Sequence, residues 1–241
     1  MILSNQTIFV SDIHLCESRP SITDAFINFL NKINNQVDAL YILGDLFEYW
    51  IGDDSKQHKN VIEALKELTD RHIQVFLMHG NRDFLIGSGF EKKTGAILLN
   101  DPTLIEIYGK RVLLGHGDIL CTDDIEYQSF RDKIRSESWK NEFLKKSLSE
   151  RITVANEFRK ESELNKKNKS QEIMDVNNDE VNRTLIRFNY PDFFIHGHTH
   201  RPHCHSITLD GHQMKRIVLG DWYEQGSYLI FNTHGIETHQ A

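Results

Sequence analysis

In FVSDIHL, residues 9–15, an apolar run stops at a serine, and an aspartate and a histidine follow two residues apart. Short apolar runs closed by a polar cluster read as buried strands. The design recurs in ILGDLFE at 42–48, LMHGNRDF at 77–84, LLGHGD at 113–118 and FIHGHTHRP at 194–202. Strands are therefore expected at 7–10, 39–43, 73–78, 111–114 and 192–195. Helical periodicity at 21–34 and 58–71 separates the first three and makes βαβ units with a largely parallel start. Further apolar runs at 104–108, 205–209, 214–219 and 228–232 follow with short turns and suggest an antiparallel-rich second portion. The fold class is α/β, and all five polar clusters fall at carboxyl ends of strands, the edge where open α/β sheets bind ligands.

A chain of 241 residues, 39% hydrophobic and 26% charged with four prolines, suits one sizeable domain, 1–241, carrying an insertion. That insertion spans about 126–189, where the sequence is long, helical and rich in charge. Residues 131–169 hold twelve Lys or Arg against seven Asp or Glu, a basic patch on a chain of net charge −7. The acidic whole gives no drive toward nucleic acid, and no obligate protein partner is evident. Cys16, Cys121 and Cys204 form no framework of disulfides, which fits a reducing compartment. The first ten residues read as a strand rather than a signal peptide, and no apolar run has the length of a spanning helix.

Asp12 with His14, and His196 with His198, stand at i and i+2, a spacing that projects both side chains to one face of an extended chain. Asp45 offers two oxygens that can bridge two ions, and Asn81 and His116 add one neutral ligand each. Seven oxygen and imidazole ligands without sulfur suit Mn²⁺, Fe²⁺ or Zn²⁺, and an ion pair held this way serves phosphoryl hydrolysis. His200, His203 and His205 are left with supporting or surface roles, and Asp83 and Asp118 with orienting an imidazole or the arginine. Arg82 cannot act as a general acid, but its rigid fork suits phosphate oxygens. In the insertion, Trp139, Phe143, Leu148, Ile152, Ala155 and Phe158 would line one helix face, which for an arbitrary helix packs on the core.

In this order the motifs D-x-H, G-D, G-N-R-D, G-H-G-D and G-H-x-H resemble the calcineurin-like metallophosphoesterases. The resemblance implies a four-layer sandwich of two mixed β-sheets flanked by helices, with the insertion as a lid. It implies two metal ions, one held by Asp12, His14, Asp45 and His198 and the other by Asp45, Asn81, His116 and His196, with a metal-bound hydroxide as nucleophile and Arg82 as charge stabiliser. HGNRDF, the residues after GHGD, IMDVN and HGHTHRP are similar to the branch that hydrolyses UDP-2,3-diacylglucosamine to UMP and 2,3-diacylglucosamine 1-phosphate. Membership would imply two Mn²⁺ ions, a lipid-linked nucleotide substrate and a peripheral position on the cytoplasmic face of the inner membrane. It would also imply substrate contacts from Asn81, Arg82, Asp124, Ser162, Lys166, Lys169 and His196. For the apolar helix face of the insertion it would imply an acyl-chain cleft or a membrane-surface contact in place of packing on the core. The alternatives are a soluble nucleoside diphosphate derivative or a phosphomonoester as substrate, and a non-catalytic scaffold.

Overall fold

The computed structural model describes residues 5–169, 173–223 and 226–241. The side chains of Glu163, Asn165, Lys166, Lys167 and Asn168 lie outside the described set, so the contact expected of Lys166 does too. Strand β1 (Gln6–Val10) leads through helix α1 (Pro20–Lys32) to β2 (Val37–Leu43), through α2 (Lys59–Asp70) to β3 (Gln74–Met78), and through α3 (Ser88–Thr94) to β4 (Ile97–Leu99). These strands are parallel neighbours, as the βαβ reading requires. Two strands from the far end of the chain extend the same sheet: β10 (Ser227–Asn232) pairs antiparallel to β1, and β11 (Gly235–Gln240) pairs antiparallel to β10 at the edge.

The second sheet has the order β5 (Thr103–Ile107), β6 (Lys110–Gly115), β7 (Phe193–His196), β9 (His212–Val218), β8 (His203–Leu209). It is mixed: β6, β7 and β9 are parallel, with an antiparallel strand on either side. The expected antiparallel-rich second portion is thus divided, since the last two strands return to the first sheet. The sheets face each other across Phe9, Tyr41, Leu43, Met78, Leu114, Ile195 and Phe231. Helices α1 to α3 cover the outer face of the first sheet through Phe26, Leu30, Val61, Leu65, Phe90 and the fully buried Trp222. Burying such side chains stabilises by about 1.5–3 kcal/mol each.

The segment expected to be one helical insertion serves two purposes. Helix α7 (Asn178–Arg187), capped by Asn177, buries Val181 and Leu185 against Leu113 and Phe194 and forms the fourth layer. Helices α4 (Ile125–Arg135), α5 (Glu137–Leu144) and α6 (Leu148–Asn168) instead arch over the strand ends. Asp124 caps α4 by accepting from the Tyr127 N–H, and Ser136 caps α5 by accepting from the Trp139 N–H.

Candidate metal centre and anion seat

Where β1 and β2 end, their backbones keep pairing: the His14 N–H donates to Asp45 O at 2.9 Å and the Leu15 N–H to Leu46 O at 2.9 Å. The chain there is not extended. Asp12, His14, Asp45, His198 and His200 all have left-handed backbones, with φ between 53° and 69°. Such conformations cost of order 1–3 kcal/mol each and persist only where surrounding structure fixes them. The expected same-face projection of Asp12 and His14 is therefore replaced by a turn that brings His14 Nε2 to 3.9 Å from Asp12 Oδ1. Glycines allow the loops to close: a Cβ on Gly80 would sit 2.0 Å from Asp45 Oδ1, and one on Gly197 would sit 2.3 Å from Asp12 Oδ2.

Asp12, His14 and His200 offer ligand atoms within 4.8 Å of one another, as do Asp12, Asp45 and His116. Asp45 Oδ1 accepts from the Arg82 N–H at 2.8 Å, whereas Oδ2 lies 3.7 Å from His14 Nε2 and 3.8 Å from His116 Nε2. That oxygen stands between two halves of the cluster. On one half, His200 Nε2 is 3.4 Å from Asp12 Oδ1. On the other, Asn81 Oδ1 is 3.0 Å from His116 Nε2 and 2.9 Å from His198 Nδ1. The His116 Nδ1–H donates to Leu43 O, which turns Nε2 into the cluster.

His196 is corrected by the structure. As the last residue of β7 it shares a face with Phe194, toward the α7 side of the sheet, and both ring nitrogens are engaged: Nδ1 with Gly197 O and Nε2 with the Arg216 guanidinium. It does not line the cavity, whereas His198 and His200 do. The pair that reaches the cluster is the G-H-x-H counted from Gly197, so His198 stands on the Asn81 half and His200, set aside on sequence, on the Asp12 half.

Electrostatics favour cations here. Burial pushes Asp45 up to about 7, with Asp83 and Asp12 adding to the shift and His116 opposing it. Burial acts on Asp12 in the same direction, but the His200, His116 and His14 rings outweigh it and hold that carboxyl well below its usual range. Burial would lower His116, yet Asp45, Asp118 and Asp12 carry it up to about 9. Asp12 Oδ2 is committed to Ser11 Oγ and the His198 N–H, while Oδ1 is a buried acceptor without a hydrogen bond. An orphaned carboxylate oxygen among imidazoles, with a second carboxylate pushed up by burial and by neighbouring carboxylates, fits divalent metal ions.

Over this cluster lies a cavity of about 620 Å³, roofed by the lid. The Arg82 Nη2 donates to Ser162 Oγ at 3.3 Å, and the Lys169 Nζ to Asp124 Oδ1 at 2.6 Å, so four residues expected at the substrate line it together. Trp139, Phe143, Ala155 and Phe158 face its apolar end, with Trp139 stacked on Phe143 at 4.8 Å and Phe130 edge-on to Phe158 at 5.1 Å. The expected single face is split between α5 and α6, and Leu148 is exposed outside it.

Asp118 and Asp83 orient neither an imidazole nor the arginine by hydrogen bonding. Asp118 accepts from Tyr127 Oη, Arg131 Nε and Arg135 Nη2 and so fastens α4. Asp83 accepts from the N–H groups of Leu46 and Gly80. Sequence reasoning missed Glu48, three residues after Asp45, and Arg159, one turn before Ser162, which meet at 3.6 Å. An acidic residue ending a motif was the available signal for the first; the second had none beyond its place in the basic run.

The model of the calcineurin-like phosphoesterase family matches residues 6–202. A protein of Aeromonas salmonicida (strain A449) named UDP-2,3-diacylglucosamine hydrolase is 48% identical over 227 residues, covering 93% of this chain and 89% of its own. A protein of the same name from Stenotrophomonas maltophilia (strain R551-3) is 47% identical over 238 residues, covering 95% and 96%. Among solved structures, one described as a novel archaeal phosphodiesterase superimposes with a TM-score of 0.50 at 15% identity, covering 98% of this chain and 99% of that one, a likeness of fold. With the strand-end ligand set, the two-sheet sandwich and the match over residues 6–202 in agreement, the chain belongs to the calcineurin-like phosphoesterases.

Proposed function

We propose that this chain hydrolyses the diphosphate bond of UDP-2,3-diacylglucosamine, giving UMP and 2,3-diacylglucosamine 1-phosphate. The observation that carries this reading is the placement of Arg82, whose backbone is tied to Asp45 and whose guanidinium faces a cavity with an apolar far end. Relatives at 47–48% identity that bear the name of this hydrolase support the substrate. Asp12, His14, Asp45 and His200 would hold one divalent ion, and Asp45, Asn81, His116 and His198 the other. Bound there, two such ions supply Lewis acidity and lower the pKa of water. The oxygen and imidazole set without sulfur is compatible with Mn²⁺, as with Fe²⁺ or Zn²⁺, and Mn²⁺ is the ion that the resemblance implies.

The residues of the chain do the rest. Water adds to the uridine-side phosphorus and gives up a proton to solvent, and the bond to the bridging oxygen breaks with its electron pair going to the sugar phosphate. That leaving group is a phosphate monoester with a second pKa near 6, so it needs charge stabilisation more than a proton. Arg82 stays charged at any working pH and offers a rigid fork to the phosphate oxygens. Ser162, Asp124 and Lys169 add polar contacts from the lid side, and Trp139, Phe143 and Phe158 offer apolar surface to acyl chains.

A peripheral position on the cytoplasmic face of the inner membrane is supported by the turn from α5 to α6. There Leu144 and Leu148 are exposed on either side of exposed Lys145 and Lys146, a basic and apolar tip of the kind that rests on anionic lipid. No helix among the described residues is long and apolar enough to cross a membrane.

The test is hydrolysis of the acylated and the deacylated UDP-sugar with Mn²⁺ in ¹⁸O-water. Release of UMP carrying the label, with strong loss of rate on deacylation, is expected. Label in the sugar phosphate would overturn the site of attack, and equal rates on both substrates would overturn the lipid assignment.

A further inference from the structure

Glu48 stands at a junction of the lid, Arg82 and the metal cluster. Its carboxylate is buried, with 6% exposure, and its two oxygens face different partners. Oε2 lies 3.6 Å from His14 Nδ1 and 3.3 Å from Arg19 Nη2. Oε1 lies 3.6 Å from Arg159 Nε, on lid helix α6, and 3.9 Å from Arg82 Nη1. The backbone fixes it there, because the Glu48 N–H donates to Leu15 O at 3.0 Å, next to His14, and Leu15 bridges to Phe47. His14 is confined on its other sides: Arg19 Nη2 donates to its carbonyl at 2.7 Å, and the Tyr223 ring stacks on it at 5.4 Å.

A carboxylate that accepts from the second nitrogen of a metal-binding histidine fixes the tautomer and aims the ring, and losing such a partner weakens metal affinity by about 10- to 100-fold. Glu48 Oε2 stands at ion-pair distance, 3.6 Å, from that nitrogen of His14. Here that carboxylate also receives an arginine from the lid. Three guanidiniums about one carboxylate leave positive charge in surplus beside the cavity, where an anion can share Arg82 and Arg159. We propose that Glu48 is a positioning residue that couples the lid to the metal centre. Oε2 faces His14 Nδ1 with Nε2 toward Asp12 and Asp45, and Oε1 meets Arg159 of the lid, so one side chain links the place of α6 to the aim of His14. This rests on the ligand reading given above.

The test is calorimetric titration of the metal-free protein with Mn²⁺ for wild type, Glu48→Gln, Arg159→Gln, the double variant and Asp45→Asn, with thermal unfolding of each metal-free protein alongside. Glu48→Gln is expected to weaken binding about tenfold or more. Arg159→Gln is expected to weaken it about two- to tenfold when Glu48 is present and not at all beside Glu48→Gln, the non-additivity of residues acting as one unit. Equal effects of Arg159→Gln in both backgrounds would overturn the coupling. Unchanged affinity in Glu48→Gln overturns the positioning role, and a lowered unfolding temperature with that result marks Glu48 as structural only. Asp45→Asn separates the two levels: if it loses Mn²⁺ while Glu48→Gln does not, only the coupling falls, and if it keeps full affinity, the ligand reading falls and the coupling with it.

Discussion

The floor and the roof of the cavity are built on opposite terms. The floor consists of loops at strand ends, held by continued backbone pairing and by left-handed residues that the two sheets lock in place. The roof consists of helices held by charged pairs, Arg131 and Arg135 on Asp118, Arg151 on Asp54 and Arg159 on Glu48, with Lys169 on Asp124 joining the end of α6 to the cap of α4, and by the buried Ile134 and Phe143. Much of the basic character of the insertion is thus spent inward. The floor is tied down by main-chain hydrogen bonds, whereas four of the roof's basic residues, Arg131, Arg135, Arg159 and Lys169, line the cavity.

Changes in the floor should hit chemistry hardest. Asp45→Ala removes the oxygen between the two halves of the cluster and is expected to lower kcat by at least about 10²–10³-fold, the scale of losing one preorganised stabilising group, with UMP release as the measurement. His200→Ala is expected to act similarly and His196→Ala much less; the reverse order would restore the pair first read from the sequence. Arg82→Lys keeps the charge and loses the fork. It should therefore cost less than Arg82→Ala, for which a loss of about 10²-fold in kcat is expected.

A change in the roof should appear first in stability. Burial raises Asp118, but Arg135, His116 and Arg131 outweigh it and hold its carboxyl well below the usual range. A carboxylate depressed in the folded state contributes stability that is fully present above its unfolded pKa of about 3.9 and is lost as pH falls through the lower folded value. Asp118→Asn, which strands two guanidiniums, is expected to cost about 3–5 kcal/mol. It should also flatten the fall in melting temperature measured below about pH 4. The smallest effect is expected from Ser162→Ala, where one hydrogen bond to Arg82 is worth about 1 kcal/mol, read as a several-fold rise in KM with kcat unchanged. A kcat loss as large as that of Arg82→Ala would place the roof in the chemistry.

The sequence made the floor legible because each strand of the site is an apolar run that stops abruptly at a polar motif, from Val10 to Ser11 or Leu43 to Gly44. It hid β4, only three residues long, β11, whose GIETHQ is mostly polar, and α3, whose seven residues include a glycine. Among His196, His198 and His200 a spacing of two cannot choose a pair. The choice is made by where β7 ends and by the left-handed backbones that follow it. The division of 126–189 into lid and layer depended on tertiary contacts: the apolar stripe of α7 meets Leu113 and Met214, which are distant in sequence, as well as Phe194.

The cluster draws on residues from Asp12 to His200, on both sheets, and on loops that touch only where glycines permit. No shorter stretch of chain contains both halves. During synthesis the centre therefore stays incomplete until β7 and the turn after it have emerged and docked on β6, the kind of distant pairing that forms late. Metal uptake would then report the end of folding rather than guide its beginning.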